Sequence, residues 1–112
     1  MAAMTTEILR IDKFAVPAAA RETFLAAVHE THRDLRTQPG FRGDDVVELC
    51  SGPSEYNIVT VVRWADPTAL HEARTVLQKR HARRGFDPAA FRLELGVVAD
   101  VGNYVPVDPG TR

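Results

Sequence analysis

Six side chains in this sequence could together bind and deprotonate a small molecule: Asp12, Phe24, His32, Thr60, Trp64 and His81. Asp12 falls in the run EILRIDKFAV, on the strand face that also carries Ile8 and Phe14. A carboxylate among apolar neighbours takes up a proton more readily unless it is paired, which suits a general base. An ion pair with Arg10 or with a helix residue is the competing reading. His32 and His81 sit on the inward stripes of two helical patterns, where imidazole can exchange protons near neutral pH; each could equally be a satisfied, partly buried histidine. Trp64, the only tryptophan, ends the run IVTVVRW. Its indole is either core filler or a flat, rigid pocket wall with one N–H donor. Thr60 shares that strand face and offers an orienting hydroxyl. Phe24 lies on the same apolar stripe as His32.

Other chemistry-bearing residues give weaker signals. His29 precedes His32 at i,i+3 spacing on a helix, but two histidines are a thin ligand set, and no metal site is assigned. His71 sits in a first helical turn and should face solvent. Lys79, Arg80, Arg83 and Arg84 read as a solvated basic helix end rather than an anion site. Cys50 has apolar and acidic neighbours and reads as an inert buried thiol. Asn103 is disfavoured in a strand, which points to a local hydrogen-bonding task or to irregularity beside Gly102. Tyr56 reads as an edge or interface residue.

The elements that must position these groups follow from periodicity. Residues 7–16 form a first strand, and Pro17 suits the first turn of a helix over residues 18–37. Phe24, Val28, Thr31, His32 and Leu35 trace its buried stripe, and Gln38-Pro39-Gly40 stops it. Strands over 41–51 and 56–65, joined through Gly52-Pro53-Ser54, make an antiparallel hairpin. Asp66 caps and Pro67 opens a second helix with the stripe Leu70, Ala73, Leu77 and His81. Asp87-Pro88 starts a short extra turn, and residues 96–105 form the last strand. The order β-α-β-β-α-β predicts an α+β, ferredoxin-like fold with two helices on one face of an antiparallel sheet. The strands carry apolar residues on both faces: Leu9 and Ile11, and Val59 and Val61, oppose the set just described. A half-solvated sheet alternates more cleanly. The expectation is therefore a homodimer whose sheets pack face to face into a barrel.

A chain of 112 residues with 45 % hydrophobic and 26 % charged residues has a globular composition. We assign one domain to residues 1–105 and a mobile tail to 106–112. A net charge of −1 gives no reason to expect nucleic acid or an anionic membrane as partner. One cysteine permits neither an intrachain disulfide nor a cysteine-based zinc site. The N-terminus lacks a basic-then-apolar leader, and no segment approaches the ~18 apolar residues of a membrane helix. A cytoplasmic location is the expectation.

The stretches FAVPAAARETFLAAV, RTQPGF and YNIVTVVRWADPTAL resemble the antibiotic biosynthesis monooxygenase family, and the resemblance runs from Glu7 to Val105. It implies a dimeric α+β barrel with a pocket in each subunit between sheet and helices. It also implies, for the oxygenase members, chemistry without metal or flavin on anthrones, quinols or polyketide-like aromatics. There an enolic or phenolic carbon acid loses a proton and its anion reduces O₂. Trp64 matches the family tryptophan. Some anthrone-oxidising members carry Asn where this chain has Thr60, and one kind carries Tyr where it has Leu70. The haem-degrading members use an Asn in the first strand and a His in the second helix; the matching positions here are Asp12, and Ala73 or Arg74. The resemblance thus implies a cofactor-independent monooxygenase, with a non-catalytic binding or structural dimer and a haem-binding relative as alternatives.

Overall fold

Alternation of side chains along ILRIDKFA builds strand β1 (Ile8–Ala15), which is central in the sheet. The computed structural model describes residues 6–107. After Pro17 a 3-10 turn, Ala18–Ala20, feeds helix α1 (Arg21–Leu35), whose inward face buries Phe24 and His32. Strands β2 (Phe41–Glu48) and β3 (Ile58–Trp64) follow. Helix α2 (Pro67–Arg83) starts where Asp66 accepts a hydrogen bond from the Ala69 N–H at 2.8 Å, with Pro67 at its first position. Helix α3 (Pro88–Leu95) and strand β4 (Val98–Tyr104) complete the chain. The sheet order is β2-β3-β1-β4 with every neighbour antiparallel, the ferredoxin-like arrangement.

Three of the differences from the sequence reading bear on the residues singled out there. Strand β3 begins at Ile58, and the Asn57 side chain just before it ties to Val16: its amide receives the Val16 N–H and donates to the Val16 carbonyl, each at 2.8 Å. Strand β2 ends at Glu48, so Cys50 lies in the connection to β3 and is exposed, not buried. The extra turn at Asp87-Pro88 is a full eight-residue helix. It is a self-contained unit: Asp87 caps it, Gly96 stops it in the left-handed region, and Phe91 and Leu95 pack one turn apart on the core. The tail assigned to 106–112 falls outside the described residues from 108 onward, as do residues 1–5.

The core is split. At one end of the sheet Phe14, Ile58 and Phe24 cluster with Val16, Ala20 and Val97. At the other, Ile8, Val62 and Trp64 meet Leu70 and Ala73. Pairing registers place Asp12 opposite Thr60 and Arg10 opposite Val62, between the two clusters and on the same, helix-covered face. Polar side chains therefore interrupt the packing midway along the central strands, and a cavity opens there. On the far face Leu9, Ile11, Val59 and Val61 are half-buried and Val47 is 52 % exposed, so the second apolar face expected from the sequence is present.

Gly40 fixes the corner between α1 and β2. It adopts φ 82°, its carbonyl accepts from the Ala65 N–H at 2.8 Å, and a Cβ there would overlap the Ala69 methyl on α2. Gly40→Ala is expected to cost about 2–4 kcal/mol, combining left-handed strain with overpacking. Urea unfolding measures it; a change within about 0.5 kcal/mol would show that the corner relaxes.

Candidate active site

Between α1, α2, α3 and the sheet lies a cavity of about 600 Å³. Asp12, His32, Thr60, Trp64 and His81 all line it. Phe24 does not. It is buried edge-on against Phe14, with centroids 4.8 Å apart, and faces an adjoining pocket of about 200 Å³ that shares Asp12, His32, Thr60 and His81 with the larger one. Five of the six residues singled out from the sequence thus meet around one space, and the sixth stands behind it.

Trp64 is 1 % exposed and packs edge-on against Phe41 at 5.8 Å. It is core filler and cavity wall at once. His81 is half-buried, its ring 5.2 Å from that of Phe86. Asp12 accepts a hydrogen bond from Arg10 Nε at 2.6 Å, and Arg10 also donates to Asn103 at 3.4 Å. Asp12 therefore takes the ion-pair alternative, and Asn103 does have a local bonding partner.

His32 is 4 % exposed, and its Nδ1 lies 2.8 Å from Asp44 Oδ2. Arg36 reaches the same carboxylate at 2.9 Å. An ionised carboxylate can only accept, so Nδ1 carries the proton. In the neutral ring Nε2 is then a bare base, without a hydrogen-bond partner among the described residues, on a ring that lines the cavity. Burial pushes the Asp44 carboxyl up, but the hydrogen bonds and charges of Arg36 and His32 outweigh it and hold the group below its ordinary value. Asp44 thus stabilises the fold wherever it is ionised. That contribution is present above its unfolded value, about 3.9, and is lost as pH falls through the lower folded value. Asp44→Asn is expected to flatten the dependence of unfolding free energy on pH below about 4; an unchanged acid limb in urea titrations across that range would contradict this.

Asp44 escaped the sequence reading because of a bulge. Phe41 pairs with Trp64 but Gly43, not Arg42, pairs with Arg63. The extra residue turns Asp44 to the helix side, where plain alternation from Phe41 would have sent it outward. The adjacent pair Asp44-Asp45 in a strand was the available signal.

The remaining candidates lie elsewhere. His29 and His71 are exposed, and among the described residues no group of three His, Cys, Asp or Glu side chains is placed to hold a metal. The basic end of α2 is tied to α1 rather than merely solvated: Arg80 meets Asp34 at 3.2 Å, and Arg84 meets Glu30 at 3.2 Å and Asp34 at 3.3 Å. A haem iron needs a ligand lone pair. Ala73 and Arg74, at the α2 positions matched to the haem degraders' histidine, supply none, whereas His32 and His81, elsewhere in the cavity lining, each carry one. No helix among the described residues is long and apolar enough to cross a membrane.

Comparison with known proteins fits this architecture. SnoaB, a cofactor-independent oxygenase from Streptomyces nogalater, superposes with a TM-score of 0.64 at 23 % identity, over 93 % of this chain and 96 % of that one. Rv0793 from Mycobacterium tuberculosis gives 0.65 at 20 % identity, over 95 % and 100 %. A mutant of MhuD with two manganese protoporphyrin IX bound per active site gives 0.67 at 19 %, over 93 % and 99 %. At such identities the likeness speaks for the fold alone. No curated protein matches the chain. The sequence profile of the antibiotic biosynthesis monooxygenase family matches residues 8–83. That span runs from β1 through α2 and holds Asp12, His32, Asp44, Thr60, Trp64 and His81, so the chain belongs to the antibiotic biosynthesis monooxygenase family.

Proposed function

We propose that this protein is a cofactor-independent monooxygenase of an aromatic, quinol or polyketide-like carbon acid, with His32 as the base. The observation that carries the reading is the His32–Asp44 pair opening onto a cavity walled by Trp64. The substrate lies against the indole, oriented by the Thr60 hydroxyl. His32 Nε2 removes a proton from the activated CH₂, and Asp44 stabilises the imidazolium that results. The carbanion gives one electron to O₂, and the two radicals combine into a peroxide anion, which His32 reprotonates. Loss of the second C–H proton breaks the O–O bond and expels water. The net change is R₂CH₂ + O₂ → R₂C=O + H₂O. The substrate anion is itself the reductant, and Trp64, Leu70, Leu77 and Phe86 give it an apolar wall.

The oxygen electrode tests this directly. Anthrone or a related quinol should drive enzyme-dependent uptake of one O₂ per product, with label from ¹⁸O₂ in the new carbonyl. Uptake no faster than the uncatalysed autoxidation would leave a non-catalytic binding protein of the same fold.

The same reading includes a homodimer. Leu9, Ile11, Val59 and Val61 on the far face are apolar, and a second copy of the sheet would bury them. Light scattering at micromolar concentration should give twice the chain mass.

A further inference from the structure

We infer that the ligand of this cavity carries a carboxylate, gripped at the α3 side by Arg92. This rests on the cavity being the substrate site, and it adds the substrate's charge. The lining includes three arginines, Arg10, Arg74 and Arg92, against two carboxylates, Asp12 and Asp87. Arg10 and Asp12 neutralise each other at 2.6 Å. Asp87 is occupied with helix α3, accepting from the Ala89 and Ala90 N–H groups at 3.0 and 3.2 Å. Arg74 and Arg92 form no ion pair among the described residues, in contrast to Arg80 and Arg84 nearby. Arg74 is exposed at the rim, whereas Arg92 is half-buried and faces both the larger and the smaller cavity.

The Arg92 guanidinium lines the cavity with no counter-ion among the described residues, so an incoming anion would gain charge-assisted hydrogen bonds there without displacing an existing partner. Its planar fork fits a carboxylate in two parallel hydrogen bonds, which a neutral ester cannot match. The placement also suits an aromatic acid: Trp64 takes the ring at one side of the space and α3 presents the cation at another. Helix α3 lies beyond residues 8–83, so this specificity comes from a segment outside the family match.

The single tryptophan provides the readout, because Trp64 lines the cavity. Quenching of its fluorescence by anthraquinone-2-carboxylate is compared with quenching by the methyl ester. The carboxylate should bind at least about tenfold tighter, as expected for hydrogen bonds to a charged group. Arg92→Gln should abolish that preference while leaving the ester's affinity unchanged, which also shows that the variant is folded; Arg74→Gln should reduce it less. Equal binding of acid and ester by the wild type, binding of neither, or a preference that survives Arg92→Gln would overturn the inference. The assay needs neither oxygen nor turnover. An Arg92-dependent preference without oxygen uptake sinks the oxygenase and keeps the anion site, and uptake with neutral anthrones but no preference does the reverse.

Discussion

His32→Ala is expected to lower kcat for oxygen uptake by about 10²–10⁴-fold, the usual worth of a positioned general base. The substrate should still bind, because Trp64, Thr60 and the apolar walls are untouched, so KM should change little. Asp44 acts through the ring rather than on the substrate. Asp44→Asn replaces an acceptor-only carboxylate with an amide that can also donate to Nδ1, so the tautomer is no longer fixed, and it removes the charge that stabilises imidazolium. It should lower kcat and displace the pH–rate profile while leaving KM near its original value; a variant that merely loosened the fold would raise KM without moving the profile. Asp12→Asn provides the contrast. Asp12 is already engaged by Arg10 at 2.6 Å, so its loss should cost far less than that of His32. If instead Asp12→Asn is the more damaging change and His32→Ala stays within a few-fold of wild type, the strand carboxylate is the base and the histidine is structural.

What could be read from the sequence, and what could not, follows the reach of local rules. The order of the strands and of the two long helices was legible because α1 and α2 announce their starts with Pro17 and Asp66-Pro67, and each strand its period. The shared face of Ile8, Asp12, Phe14, Thr60 and Trp64 was legible because strand alternation is strict in β1 and β3, and the register confirms it. Strand β2 broke the rule: one bulged residue reverses the faces after it, and its local mark in FRGDD is Gly43, at φ 139°, a glycine inside a strand. That hid Asp44, the partner of the one buried histidine. The fate of Asp12 was undecidable for a different reason. Arg10 sits on the same face two residues away, and strand alternation alone does not say whether it folds back onto the carboxylate or reaches another partner such as Asn103 on β4. Cys50 was misplaced because β2 stops earlier than its hydropathy suggests. Arg92 carries no signal in the sequence because Asp87-Pro88 reads there as the start of a turn, and a turn presents no fixed face.

Trp64→Ala is expected to be the most destabilising single truncation around the cavity, at about 3–5 kcal/mol. The indole is 1 % exposed and joins Ile8, Val62, Leu70 and Ala73, so its removal unpacks one of the two halves of the core. For a domain of this size each kcal/mol shifts Tm by roughly 4–8 °C, so the variant should melt well below wild type. The void it leaves adjoins a cavity already present. Water can enter, and so can a larger aromatic ligand, which would bind only the folded state and raise Tm with concentration. Trp64→Phe keeps a ring against Phe41 and should cost about half as much or less. The pair of variants separates the two tasks of the indole. If Trp64→Ala melts within about 5 °C of wild type yet loses ligand binding, the indole is a wall with little part in the core. If it unfolds readily and bound ligand restores its Tm, the same ring holds the sheet to α2 and defines the space in which the chemistry occurs.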